Sequence, residues 1–442
     1  MKDMTVFSAA EAAGGRLVNC PLDLPLAGGV IDSREAGPGL MFCALPGERA
    51  DGHEYMRSAL EKGAACCLAT HVPEGVTGPV ILVDDVRSAM AKIAGACRDR
   101  LGIPVVGITG SSGKTTAKEM CAAVLSQKYN TLKTEKNFNN ELGVPLTLFR
   151  IGPEHGAAVV ELGINHFGEM SRLGAMAKPD IAVYTLIGRS HLEALGDLDG
   201  VLRAKGELVE QMPPDGLLIV NGDDEKLAAW RPARRKLTFG LGEGCDVRGV
   251  GFAPRGAEGS ALTVLAGERR IELFLPAYGR HLAYAALAAA AVGIELGLSD
   301  GQIAAGAADY APVGRRARII ETPSLTVIDD CYNANPDSVK MAIASAGALG
   351  GRLVCILGDM LELGEQSEQM HREVGEAARA AGALLLTAGE RSAAMGGEHF
   401  ASKAELISAL PRLLKRGDRV LVKASHSMAF EEISDALRAL SL

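Results

Sequence analysis

Val105-Val106-Gly107-Ile108-Thr109-Gly110-Ser111-Ser112-Gly113-Lys114-Thr115-Thr116 runs from an apolar strand through a glycine-containing turn into a helix start. In that order of elements, free backbone N–H groups and the positive end of the helix dipole gather around the turn, which suits an anion such as phosphate. Gly110 and Gly113 let the backbone curl without a Cβ clash, and Lys114 can reach the β- and γ-phosphates of a nucleotide. Thr115 can offer its hydroxyl to Mg2+. Thr109, Gly110, Ser111, Ser112, Gly113, Lys114, Thr115 and Thr116 are therefore the expected ATP-binding residues. The loop is shorter than the common G-x-x-x-x-G-K-[ST] form, since Ile108 stands where that form has its first glycine.

Outward from this loop the chain divides into three stretches. At 442 residues it is too long for one compact core at roughly 150 residues per domain. Residues 1–101 hold short apolar strands at Val30–Ile31, Leu40–Leu45, Ala65–Ala69 and Val80–Val83, which predicts a small α/β domain. Residues 102–311 begin at the break Gly102-Ile103-Pro104 and contain the phosphate loop. Further strands at Ala157–Leu162, Ile181–Ile187 and Leu217–Val220 follow, then an Ala-rich helix from His281 to Leu296. Residues 312–442 repeat strand then helix four times from Thr326 onward, which predicts a parallel, doubly wound, Rossmann-like sheet. The fold class is thus α/β in three domains, the central one a P-loop unit. No G-x-G-x-x-G occurs, so a dinucleotide fingerprint is missing.

Composition removes other classes. Lys and Arg total 46 against 54 Asp and Glu, a net charge of -8 that argues against a nucleic-acid surface and for small-molecule partners. The longest apolar run, Leu282 to Val292, is far short of the ~18 residues that span a bilayer. The start, Met1-Lys2-Asp3-Met4-Thr5, lacks the apolar segment of a signal peptide, so the chain is read as cytoplasmic. Nine cysteines without a C-x-x-C suggest free buried thiols rather than zinc or disulfides. The short basic stretch Arg231–Lys236 reads as a solvated face.

Transfer of a phosphoryl group needs cations and hard oxygen ligands near the loop. Glu161 at a strand end, His191 after the next strand and Lys205 on the following helix meet that need, because strand ends of one parallel sheet converge on one crevice. Singly, Glu161 could cap a turn, His191 could be a loop histidine and Lys205 an ordinary helix lysine. Their joint placement favours a site.

These residues, with Asp32-Ser33-Arg34, Asp51-Gly52-His53, Asn137-Phe138-Asn139-Asn140, Glu161-Leu162-Gly163, Ser190-His191-Leu192-Glu193, Arg315, Asp329 to Pro336, Gly358 to Gly364, His371 and Lys423-Ala424-Ser425-His426, resemble the Mur ligases over the whole length. Mur ligases are ATP-dependent amide-forming enzymes of peptidoglycan synthesis. The resemblance implies a ligase that adds D-alanyl-D-alanine to UDP-N-acetylmuramoyl-tripeptide through an acyl phosphate, with ATP and Mg2+ as cofactors. It implies that the first domain holds the UDP end near Ser33 and Arg34. Asp330 and Arg315 would face nucleotide, and Asn333 and Asn335 the dipeptide; Asn137 and Asn139 would lie at the substrate. It also implies that Glu161 and His191 ligate a second magnesium, and that Lys205 does so as a carbamate; Lys114, Lys205 and His191 would be the catalytic set. A monomer is expected.

Two departures stand out. The family's G-x-H-N-x-x-N helix start, used around adenine and ribose, reads Gly279-Arg280-His281-Leu282-Ala283-Tyr284-Ala285, and the usual glycine before the asparagine run is Lys136. The D-N-P-R signature of the diaminopimelate-adding relative is absent. The other readings are a relative with a different amino substrate and a nucleotide-dependent, non-catalytic regulator on the same fold.

Overall fold

The computed structural model describes residues 1–47, 50–255, 259–276 and 279–442. Three sheets form in chain order. The first contains β1 (Arg16–Val18), β2 (Gly28–Val30), β3 (Leu40–Cys43), β4 (Cys66–Ala69) and β5 (Val80–Leu82), ordered β1-β5-β4-β3-β2 with only β1 antiparallel to its neighbour. Strands β3 and β4 are nearly continuous apolar runs, as strands covered on both faces must be.

The second sheet holds β6 (Val105–Thr109), β7 (Thr131–Lys133), β8 (Ala157–Glu161), β9 (Ile181–Tyr184), β10 (Leu217–Asn221), β11 (Arg235–Gly240), β12 (Val247–Pro254), β13 (Ser260–Ala266) and β14 (Arg269–Leu275). Its order is β14-β13-β12-β11-β10-β9-β6-β8-β7, parallel from β7 to β12 and antiparallel through β13 and β14. The chain leaves β6 towards β8 on one side and β9 on the other. That reversal opens a crevice at the carboxyl ends of β6, β8 and β9. Helix Lys114–Leu125 covers one face and packs against the buried helix His281–Glu295, where Leu282 is 1% exposed. Each such fully buried Leu or Val contributes about 1.5–3 kcal/mol.

The third sheet comprises β15 (Arg318–Glu321), β16 (Thr326–Asp329), β17 (Leu353–Gly358), β18 (Leu384–Ala388), β19 (Glu398–Phe400) and β20 (Arg419–Lys423), ordered β15-β16-β20-β17-β18-β19. All neighbours are parallel except the edge strand β15, which returns antiparallel on β16. The expectation of a wholly parallel sheet is corrected there. β15 leads into β16 across the short turn 322–325, and a short connection permits only antiparallel pairing.

The strands that carry the cleft fall where the sequence places them. Strands β1, β7, β11 to β15 and β19 have no counterpart among the strands expected from the sequence. β7 and β19 are three residues each, too short to show a pattern. Among the described residues no helix is long and apolar enough to cross a membrane.

Candidate active site

The phosphate loop begins where β6 ends. Gly110 has φ +144° and Gly113 φ +80°, both in the region that favours glycine, and Gly113 caps helix Lys114–Leu125. The Thr185 hydroxyl, just past β9, donates to the Ser112 carbonyl at 2.6 Å and braces the loop from below. Lys114 Nζ donates to the Gly110 carbonyl at 2.7 Å, folded back over the turn it serves. Burial lowers the Lys114 pKa, and the Glu161 charge partly restores it.

Glu161, the last residue of β8, is almost fully buried. Its Oε2 accepts from the Thr115 hydroxyl at 2.9 Å and its Oε1 from Asn139 Nδ2 at 2.8 Å. Hydroxyl and carboxylate therefore share one point beside the loop. The Thr109 and Ser190 hydroxyls, immediately before the loop and before His191, are buried without a hydrogen-bond partner. Buried polar groups are ordinarily satisfied, so both call for a ligand or water.

His191 and Glu362 both take left-handed backbone, φ +54° and +62°, strain of about 1–3 kcal/mol each of a kind that collects at functional sites. His191 Nδ1 lies 2.6 Å from Glu362 Oε2, a contact that joins the second sheet's layer to the third's. Burial lowers the His191 pKa; Glu362 opposes this, while Lys114 and Lys205 add to it. Lys205 is 1% exposed, and among the described residues no carboxylate pairs with it. Burial, then the Lys114 charge, drives its pKa well below the usual lysine value. Both effects favour the uncharged amine over the ammonium.

Ser111 to Thr116, Asn137, Asn139, Glu161 and His191 line one cavity of about 690 Å³ together with Asp330, Asn333 and Asn335 from the third sheet's layer. Thr109, Gly110 and Lys205 lie behind that lining. Ser33 and Arg34 stand apart on the surface loop between β2 and β3. Arg34 pairs with Asp32 at 2.6 Å and holds its carboxyl at about 2, and the Ser33 carbonyl accepts from Lys62 Nζ.

Arg315 does not face the cleft. Its guanidinium is drawn to Asp329 at 2.8 Å and Asp435 at 3.1 Å, and the neighbouring Arg316 lines the cavity instead, 3.6 Å over the Tyr332 ring. An arginine pair gives the sequence no means of saying which member turns inward. Asp330 bonds Lys423 Nζ at 2.6 Å, and Lys423 also holds the Asn333 carbonyl at 3.0 Å. Asn335 caps helix Pro336–Ala348 through Ser338 N, as its Asx-turn chemistry allows.

The far wall of the cavity includes Asn221, Asp223, Phe239, Tyr284 and Ala285. Leu282 points into the core, so one of the two missing asparagines is replaced by packing. Tyr284 donates to Asp223 Oδ2 at 3.0 Å. Burial and Asp223 push its phenol up to about 12, which keeps it a donor. Arg87, from the helix after β5, also reaches the cavity, and neither it nor Tyr284 was singled out by the sequence as a binding residue.

Among the described residues no group of three or more His, Cys, Asp or Glu forms a preassembled metal cage. Mg2+ keeps several waters and takes one or two carboxylates plus substrate phosphate. Thr115 and Glu161 supply hard oxygens at the right side of the loop, and the residues present fit the ion.

Comparison with known proteins agrees with this geometry. Residues 27–99 match the Mur ligase family, catalytic domain; 108–293 the Mur ligase middle domain; and 315–426 the Mur ligase, glutamate ligase domain. The UDP-N-acetylmuramoyl-tripeptide–D-alanyl-D-alanine ligase of Escherichia coli K12 is 37% identical, with 99% of each chain covered; that of Bacillus subtilis 168 is 36% identical, with 97% of each. A crystal structure of MurF from Acinetobacter baumannii superposes with a TM-score of 0.90 at 30% identity over 99% of each chain. MurF ligase from Thermotoga maritima in complex with ADP gives 0.84 at 26% identity, over 93% of this chain and 97% of that one. With three successive segments matched and relatives similar from end to end, the chain belongs to the Mur ligase family.

Proposed function

We propose that this chain is an ATP-dependent ligase that joins D-alanyl-D-alanine to the terminal carboxylate of UDP-N-acetylmuramoyl-tripeptide, a step in making peptidoglycan precursors. The observation that carries the reading is the meeting of Lys114, Thr115 and Glu161 in a cavity also walled by Arg87 and by Arg316, Asp330 and Asn333. The names of the full-length relatives support the choice of substrates. On this reading residues 1–101 hold the UDP end at Ser33 and Arg34, 102–311 bind ATP, and 312–442 present the dipeptide. The enzyme acts as a cytoplasmic monomer.

A carboxylate is a poor electrophile and must be activated. Its oxygen attacks the γ-phosphorus of ATP, the bond to the β-phosphate oxygen breaks, and ADP leaves an acyl phosphate behind. The dipeptide amine then adds to the carbonyl carbon, loses a proton and expels inorganic phosphate. Lys114 and the amides of residues 110–116 neutralise charge on the phosphoryl oxygens as it transfers. Thr115, Glu161 and His191 would hold magnesium, which supplies further charge neutralisation at the same oxygens. As a carbamate, formed when its amine adds to CO2 and releases a proton, Lys205 would add an anionic oxygen ligand to that set. Asn139 holds Glu161 in place, while Asn137 and the Asn333 amide face the substrates. Closure of the layers over the cavity keeps water from the acyl phosphate.

Purified protein with UDP-muramoyl-tripeptide, D-alanyl-D-alanine, ATP and magnesium releases phosphate only when all four are present. Nucleotide binding without dipeptide-dependent release would replace this reading by a regulator. Release with another amino compound alone would replace the dipeptide.

A further inference from the structure

The loop Leu186–His191 touches two things at once. On one side Ser111 N donates to the Leu186 carbonyl at 2.8 Å, and the Ser111 hydroxyl to the Gly188 carbonyl at 3.0 Å. These bonds tie it to the phosphate loop. On the other side Arg189 reaches the third sheet's layer. Its backbone N–H donates to Asp337 Oδ2 at 2.9 Å and its Nη1 to Glu373 Oε2 at 2.9 Å, with Nε 3.7 Å from Asp337 Oδ1. Lys340 Nζ holds the same Glu373 oxygen at 2.7 Å.

Asp337 lies in the first turn of helix Pro336–Ala348 and Glu373 within helix Ser367–Ala380, so the arginine spans two helices of that layer. It is 30% exposed, and Asp337 and Glu373 are 28% and 26% exposed. Half-buried, charge-assisted contacts of this kind fix position better than solvated surface pairs do. Two residues, Arg189 and Gly188, thus link Asp337 of the C-terminal layer to Ser111 of the phosphate loop. A Cβ at Gly188 would meet Asp337 Oδ2 at 2.8 Å, which shows how closely the two layers approach.

We propose that Arg189 is a positioning residue through which docking of the C-terminal layer sets the phosphate loop for transfer. The inference rests on the ligase reading for its kinetic readout. Arg189 touches neither the loop's phosphate-facing amides nor Lys114, so nucleotide binding to the central layer does not require it. Its loss acts on the docked state and therefore on kcat.

The test is a mutant cycle. Arg189→Ala lowers kcat on the order of tenfold or more, a factor typical of a charge-assisted hydrogen bond, while KM for ATP and the Kd for ADP by calorimetry stay within threefold. Arg189→Lys, which keeps the charge on one contact, recovers part of the loss. Arg189→Ala combined with Glu373→Gln is no slower than the worse single variant, because the two act as one unit. Small-angle scattering of the ADP-bound Arg189→Ala protein shows a larger radius of gyration than the parent. That measurement tests the docking role even if the ligase reaction itself proves to be another one. Unchanged kcat, multiplicative losses in the double variant, or lost ADP binding in Arg189→Ala would each overturn the proposal.

Discussion

Gly110→Ala probes the phosphate loop at its tightest point. A Cβ there lies 2.0 Å from Thr185 Oγ1, 3.0 Å from Leu186 N and 3.2 Å from Leu186 O. Carbon atoms sit about 3.5 Å or more from their neighbours, so the hydroxyl must retreat by about 1.5 Å. It cannot do so and keep its 2.6 Å bond to the Ser112 carbonyl. Holding alanine at φ +144° costs about 1–3 kcal/mol in backbone strain, and the overpacking costs about as much again. The loop relieves that cost by moving, and its amides then miss the phosphates. Calorimetric titration with ADP and magnesium is expected to show a Kd raised at least about 30-fold, the equivalent of about 2 kcal/mol. Gly347→Ala is the comparison. Its Cβ meets nothing within 4 Å at the end of helix Pro336–Ala348, and it should stabilise by up to about 1 kcal/mol with binding unchanged. A Gly110→Ala protein that binds ADP within threefold of the parent refutes the account of how this loop is braced.

Lys114→Ala should cut kcat by about 100-fold or more in phosphate release, as removal of a preorganised charge stabiliser does, with the melting temperature nearly kept. Lys205→Ala should lose most activity and regain part of it with added short carboxylates; wild-type turnover in that variant would take Lys205 out of the mechanism. His371, fully buried, accepts from Met360 N at 3.0 Å and donates from Nδ1 to the Ser367 carbonyl at 2.7 Å, an arrangement open only to the neutral ring. Burial lowers its folded pKa, so the unfolded chain takes up the proton first; stability is full above about pH 6.5 and is lost as pH falls toward the folded value. Thermal melting from pH 7.5 to 5 should therefore show a decline that His371→Ala reduces, and an equal decline in both proteins would dismiss this histidine as its source.

The residues that needed only local physics were legible in the sequence. A strand, two glycines and a lysine at a helix start define the loop without any tertiary knowledge, and Glu161 and His191 follow from the rule that strand ends converge. Arg315 shows the limit: the choice between it and Arg316 was made by Asp329 and Asp435, one at a strand end and the other more than a hundred residues further on. Arg87 was equally hidden, because it enters the cavity from an ordinary helix whose sequence carries no mark of what it faces, whereas Tyr284 lies in the helix start that the resemblance ties to adenine and ribose, and only the fold shows its hydroxyl turned to Asp223. The antiparallel addition of β13 and β14 escaped for another reason. Its alternating burial is clear on β14, yet glycines at 249, 251 and 259 break the pattern before it.

That addition also bears on how the polypeptide survives its own synthesis. Large parallel sheets form slowly and leave open borders for strangers to extend. Here one border, β7, is only three residues long, and the other, β14, turns Arg270 and Glu272 outward between buried Ile271 and Leu273. A foreign strand arriving at either side meets too little backbone, or charged Arg270 and Glu272 ahead of the exposed Phe274, so both borders of the nine-stranded sheet are poor templates for growth into fibrils.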